Sequence, residues 1–393
     1  MQREVVLVGM ARTPIGDFLG SLSSLSAVEL GIIAGKAALD RTGITPEQVE
    51  DVSVGMVYKA GTKGNPARQI QLALNIPAEV PAACVEQQCA STMRALEIAS
   101  QQIMLGKKDV CLVCGIESMS NVPYLMTEVR KGLRMGNGKV EDGLLYDALI
   151  DAFHGYHMGV TAENVAEEYK VTREEQDELA ALSHARAVAA IKAGKFQEEI
   201  VPVEVKSRKS SVIVDTDEHP RGDVTQESLA KMKAVFKKDG TVTAGNASSV
   251  NDGACAAVIM SMDKAKELGI KPLAKILSST TAGCEPRVMG IGPIYAIPKA
   301  LKEAGLRIED VDYFEINEAF AAQFLACNRV LKIDMNKVNA NGSGIALGHP
   351  VGCTGLRIVT AAYHELARRG GKYACASLCA GGGPAMAVVI EKL

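Results

Sequence analysis

The sequence predicts an α/β protein whose core is duplicated and whose first half carries a large insertion. Three observations lead there. A sequence motif recurs far along the chain, strand-like and helix-like segments alternate in both copies, and the composition changes between residues 120 and 250. The motif runs over residues 38–50 and again over residues 300–312, with Gly43 and Gly305 at equivalent places 262 residues apart. Each copy reads as a helix end, a glycine C-cap, a short acidic turn and the start of a strand.

The elements follow in order. Residues 5–8 (Val-Val-Leu-Val) read as a strand directly after a polar start, too short an apolar run for a signal peptide. The turn Glu86-Gln87-Gln88-Cys89-Ala90-Ser91 precedes a helix expected over about residues 91–105, with Leu96, Ala99 and Ile103 on one face. An apolar strand at 110–114 follows. Residues 120–250 are richer in charge and His, include the basic cluster Lys206-Ser207-Arg208-Lys209, and read as the insertion. Residues 251–262, ending in an apolar run, return a strand to the first half. In the second half a turn at 348–354, a helix at about 355–369 and a strand at 373–378 mirror the Cys89 turn and its successors. The boundaries expected are residues 1–119 with 251–270 for the first half, 120–250 for the insertion and 271–393 for the second half. Strand–helix alternation favours parallel sheets covered on both faces.

The chain is 393 residues long, more than one ordinary core holds. A net charge of −3 makes no case for nucleic acid or an acidic membrane surface, and no apolar stretch is long enough to span a bilayer. Ten cysteines without secretory features suggest free thiols in a reducing, cytoplasmic setting. Cys111 and Cys114 form a C-x-x-C, but extended geometry points them to opposite faces, so no metal site is expected.

Three residues carry chemistry. Cys89 lies just before a helix, whose N-terminal N–H groups stabilise a thiolate or a neighbouring oxyanion. Its bland reading is an inert buried cysteine. His349 is fixed between Gly348 and Pro350, inside a run of glycines from Gly342 to Gly355. Cys379 ends an apolar strand and is followed by Ala380 and Gly381-Gly382-Gly383, whose N–H groups can form an anion-binding concavity. If the halves face each other, the Cys89 and His349 turns are pseudo-symmetric partners at one site. Asn317, after the strand-like 313–316, either caps the next helix or orients a water.

Together these residues resemble the thiolase family. Cys89 with Ser91 looks like C-x-S, Asn317-Glu318-Ala319-Phe320 like N-E-A-F, Gly348-His349-Pro350 with Gly352 like G-H-P-x-G, and Cys379 with the three glycines like C-x-G-G-G. The fold implied is a five-layer αβαβα core with a loop domain. His157-Met158-Gly159 resembles the loop domain of short-chain biosynthetic members. By that similarity His157, Met158, Met289 and Phe320 would line the pantetheine and acyl pocket. Arg221, Ala244 and Ser248 would lie against coenzyme A. The resemblance implies that His349 activates Cys89, which takes acetyl from acetyl-CoA. Cys379 then deprotonates a second acetyl-CoA, giving acetoacetyl-CoA and coenzyme A without a cofactor. Oxyanion holes would come from His349 with a water on Asn317, and from the N–H groups of Cys89 and Gly381. A homodimer or tetramer is implied, with the glycine-rich residues 132–143 as the tetramerisation loop.

Thr92, Ser249 and Pro384-Ala385 depart from the pattern, which has glycine after C-x-S and after Asn-Ala-Ser, and Met-Gly after the triple glycine. Each is expected to add bulk or stiffness near the site. Three other readings compete with this one. A degradative 3-ketoacyl-CoA thiolase has the same chemistry with a longer acyl pocket, and His157 argues against it. A ketoacyl synthase lacks the second cysteine. A non-enzymatic acyl-CoA binder would be free to lose Cys89, His349 or Cys379, and all three are present.

Overall fold

Each half of the chain lays its strands down in the same spatial order. The computed structural model describes residues 3–207 and 210–393, so Met1, Gln2, Arg208 and Lys209 lie outside the described residues. Its main strands are β1 (Val5–Arg12), β2 (Asp51–Gly55), β3 (Ala82–Val85), β4 (Val110–Ser118), β5 (Asn251–Ser261), β6 (Ala274–Gly283), β7 (Tyr313–Ile316), β8 (Tyr373–Cys379) and β9 (Pro384–Lys392). They form one sheet in the order β7-β8-β9-β6-β1-β5-β4-β2-β3. Outward from the middle, the first half pairs β1-β5 and β5-β4 antiparallel, then β4-β2 and β2-β3 parallel. The second half repeats this with β6-β9 and β9-β8 antiparallel and β8-β7 parallel. A single parallel bridge from Phe314 to Val338 stands where β3 has a full ladder. The halves join where Val5 faces Ile276 and Leu7 faces Ala274.

The sheet is therefore mixed, not parallel as the alternation suggested. The reason is local in the second half. The glycine run after Cys379 closes a tight turn, with Ala380 N–H donating to Pro384 O at 2.8 Å and Gly383 N–H to Ala380 O at 3.1 Å. So short a connection can only return an antiparallel strand.

The repeat seen in the sequence is structural. Gly43 and Gly305 both take the left-handed conformation, each with φ of 72°, as helix-ending glycines do. Short 3-10 turns at Pro46–Gln48 and Ile308–Asp310 then lead into β2 and β7. The helices before them, α1 (Ala27–Asp40) and its second-half counterpart Pro293–Ala304, cover the outer faces of the sheet. Ser26 and Glu29 form a capping box that fixes the start of α1.

Between the two halves lie α2 (Ser91–Met104) and α3 (Val351–Arg369). Leu96, Ala99 and Ile103 of α2 pack with Leu356, Val359 and Ala362 of α3 against the inner face of strands from both halves. That gives five layers, with α2 and α3 in the middle. α3 begins at Val351, earlier than the glycines suggested, because Gly352 and Gly355 serve close packing and not a turn. A Cβ on Gly355 would sit 2.7 Å from the Met93 backbone nitrogen. Cys111 faces this inner core and Cys114 the outer one, as alternation along β4 requires.

Candidate active site

The Cys89 turn, the His349 turn and the Cys379 hairpin converge at one end of α2 and α3. They border a cavity of about 330 Å³ whose walls include Cys89, His157, Met158, Ser248, Phe320, His349 and Gly381. Ala244 and Met289 also line it.

Cys89 follows a strained residue. Gln88 has φ of 49°, a region few side chains adopt. Ser91 holds the turn there: its hydroxyl donates to Gln88 O at 2.6 Å and accepts the Gln87 N–H at 2.9 Å. The serine of C-x-S thus presents the cysteine. Burial pushes the Cys89 thiol up to about 11, against the pull of the Gly381 and Cys89 backbone N–H groups that face it. Those two N–H groups are a ready oxyanion site.

His349 is tightly specified. Gly348 has φ of 95°, and a Cβ there would lie 2.6 Å from the Asn251 amide. The Thr354 hydroxyl donates to Pro350 O at 3.0 Å and lies 2.6 Å from His349 Nδ1, so it accepts the Nδ1 proton. Nε2 is then left unprotonated, an acceptor. Asn317 agrees. The guanidinium of Arg357 has only donors, and its Nη2 lies 3.4 Å from Asn317 Oδ1. The amide nitrogen of Asn317 therefore faces His349 Nε2, at 3.4 Å. Burial first, and then the Arg357 charge, push the imidazole down to about 3. Asn317 does not cap the following helix, which starts at Ala321 with Phe320 as N-cap.

Cys379 is almost fully buried, in a small apolar cluster with Met158, Met289 and Phe320. Burial raises its thiol well above the ordinary value, and Cys89 is the largest charge effect upon it. Cys89 and the neutral imidazole thus line the cavity, and Cys379 packs against its wall residues Met158, Met289 and Phe320.

His157 caps the helix Met158–Glu168, its Nδ1 accepting the Gly159 N–H at 3.0 Å. Its ring stacks on Phe236 with centroids 4.6 Å apart, and Phe236 meets Phe320 edge-on. Ser248 N–H donates to Ala319 O at 2.9 Å, tying the Ala244–Ser248 wall to the Asn317 loop. Arg221 is exposed and lies off the cavity wall, its N–H donating to His184 Nδ1 at 3.2 Å.

Two of the departures point elsewhere. Thr92 is wholly buried in the α2–α3 crossing, where its hydroxyl bonds Gly352 O and glycine at position 115 makes the room. Ala385 faces Gly292 in the outer core. Neither adds bulk to the cavity. Ser249 does line it.

Two family models match nearly the whole chain. "Thiolase, N-terminal domain" covers residues 5–263 and "Thiolase, C-terminal domain" covers residues 270–392. The chain belongs to the thiolase family. An acetyl-CoA acetyltransferase of Pseudomonas aeruginosa is 48% identical over 391 residues, 99% of this thiolase and 100% of the relative. The solved acetyl-CoA acetyltransferase of Syntrophomonas wolfei superposes with a TM-score of 0.98 at 51% identity, covering 100% of both chains. Human mitochondrial 3-ketoacyl-CoA thiolase gives 0.96 at 44% identity, covering 100% of this thiolase and 99% of that chain.

Several site residues escaped sequence reading. Phe236 stands alone among lysines, with no periodicity to mark it. Thr354 lay inside the glycine run already singled out. Asn251 appeared only as the start of a strand. Glu117 is fully buried at the end of β4, where it accepts N–H bonds from Val57, Tyr58 and Gly352 at 3.0, 3.2 and 2.9 Å. It occupies the place in the first half that Cys379 holds in the second, 262 residues on. The repeat could have pointed to it.

Proposed function

We propose that this thiolase is an acetyl-CoA C-acetyltransferase, joining two acetyl-CoA molecules reversibly into acetoacetyl-CoA and coenzyme A. The observation that carries this is Cys89 and His349 on the wall of one apolar cavity, with Cys379 packed against the wall residues Met158, Met289 and Phe320. The names of the bacterial relatives support the acetyl substrate.

The chemistry follows from the proton positions. His349 Nε2 takes the Cys89 proton as sulfur attacks the thioester carbonyl. The oxyanion formed faces the Cys89 and Gly381 N–H groups. The departing coenzyme A thiolate takes its proton from Cys379, leaving a thiolate beside the imidazolium. That thiolate then removes a methyl proton from the second acetyl-CoA, whose enolate oxygen is held by His349 and a water on Asn317. The carbanion attacks acetyl-Cys89, and the released sulfur recovers its proton from His349. Atoms and charges balance over the cycle, no cofactor is called for, and ping-pong kinetics are expected.

Cavity size supports a short acyl group. Met158, Met289 and Phe320 close the space around Cys379, leaving little length for a long chain. The degradative reading is separated by thiolysis rates on 3-ketoacyl-CoA of increasing length. A steep fall beyond acetoacetyl-CoA is expected, and equal rates on long chains would reverse the assignment. We further propose a cytoplasmic homotetramer or dimer. Among the described residues no helix is long and apolar enough to cross a membrane. The exposed Leu133, Met135 and Val140 fall in the proposed tetramerisation loop.

A further inference from the structure

We infer that Ser249 is a positioning residue for His349, acting through Asn251; the inference rests on the thiolase chemistry proposed above. Ser249 lies on the cavity wall, and its hydroxyl donates to Asn251 Oδ1 at 2.8 Å. The same oxygen accepts the His349 backbone N–H at 2.8 Å. At the other end of the amide, Nδ2 donates to Gly16 O at 3.1 Å and lies 3.4 Å from Asp17 Oδ1. Asn251 is wholly buried and its amide packs against Gly348. It therefore sets the height of the backbone that carries the imidazole.

Two donors meet at one carbonyl oxygen and occupy both of its lone pairs. Without the Ser249 hydroxyl, one lone pair of a buried oxygen goes unmade, and the amide loses one of the bonds that orient it. A small shift of the amide moves the His349 turn relative to Cys89, and catalysis is sensitive to displacements of that size. The glycine expected at this position from the family pattern could not supply the bond.

The test compares Ser249→Ala and Ser249→Thr with the unchanged protein, at equal folded concentration set by circular dichroism. Single-turnover acetylation of Cys89 by acetyl-CoA is followed, with kcat and KM for acetoacetyl-CoA thiolysis. The alanine variant is expected to lose about three- to tenfold in acetylation rate and kcat, the range one neutral hydrogen bond supplies, with KM unchanged. The threonine variant, which keeps the hydroxyl, is expected to recover the rate. An alanine variant as fast as the unchanged protein, or a threonine variant as slow as alanine, would overturn the inference. If the unchanged protein itself forms no acetyl-Cys89, the thiolase chemistry fails first and takes the inference with it.

Discussion

The resting protein holds Cys89 and Cys379 as thiols and His349 as a neutral imidazole. Burial sets all three states, and Arg357 reinforces the last. Because His349 is pushed down to about 3, its basic form is complete across neutral pH. Cys89 acetylation is therefore expected to show no histidine titration between about pH 5 and 8, where an ordinary imidazole would titrate. A rapid-quench pH profile checks this, and an inflection near 6.5, the ordinary value, would contradict it. Asn317→Ala removes the side chain that faces Nε2 and is expected to lower condensation by about 10²–10³, measured as kcat for acetoacetyl-CoA formation. The candidate residues were legible, because His349 and Cys379 lie at glycine-marked turns and Cys89 stands just before an amphipathic helix. What could not be read was direction. Thr92 and Ala385 stand next to site residues in the chain, yet their side chains enter the helix crossing and the outer core. Neighbours in sequence do not share a face, and the facing element is not written in the sequence.

The elements place those residues by contact between α2 and α3. Each helix begins at a turn bearing a catalytic candidate, so their crossing sets the distance between the Cys89 and His349 turns. Gly355 permits that crossing, and Gly355→Val would drive side-chain atoms into the Met93 backbone. A loss of about 1–3 kcal/mol is expected, visible as a lower denaturation midpoint in urea. An unchanged midpoint would show that the crossing relaxes freely. The same glycines obscured the start of α3, since glycine in a sequence signals a turn whether it serves bending or close approach. Element order was more legible. Gly43 and Gly305 end matching helices and announce β2 and β7, whereas strand direction depended on which strands became neighbours. The hairpin that returns β9 beside β8, and the joining of β1 to β6, are tertiary choices that local pattern does not encode.

Across the whole molecule the two halves are alike in strand order but divided in labour. The first half supplies Cys89 and the anchors Asn251 and Glu117, while the second supplies His349, Asn317 and Cys379. The clamp works across the junction: Asn251 holds the His349 N–H and Glu117 the Gly352 N–H. Stability should follow pH through histidines kept neutral by burial. His349 and His184 are pushed down to about 3 and about 4 from an ordinary 6.5. The unfolded chain then binds more protons below 6.5, so their share of stability is complete above that pH and is lost as pH falls toward 4 and 3. Urea unfolding followed from pH 7.5 to pH 4.5 is expected to give a steadily lower midpoint. A midpoint that rises on acidification would contradict neutral burial. The insertion contributes His157, Met158 and Phe236 to the cavity, so removing it should abolish substrate binding as well as turnover.

The two cysteines have different work in the proposed reaction, Cys89 carrying the acyl group and Cys379 moving the proton. The most direct test is mass spectrometry of Cys379→Ala after incubation with acetyl-CoA. One acetyl group is expected on the peptide containing Cys89, with no acetoacetyl-CoA in solution. An unmodified Cys89 peptide, or acetoacetyl-CoA formed at the normal rate, would contradict it.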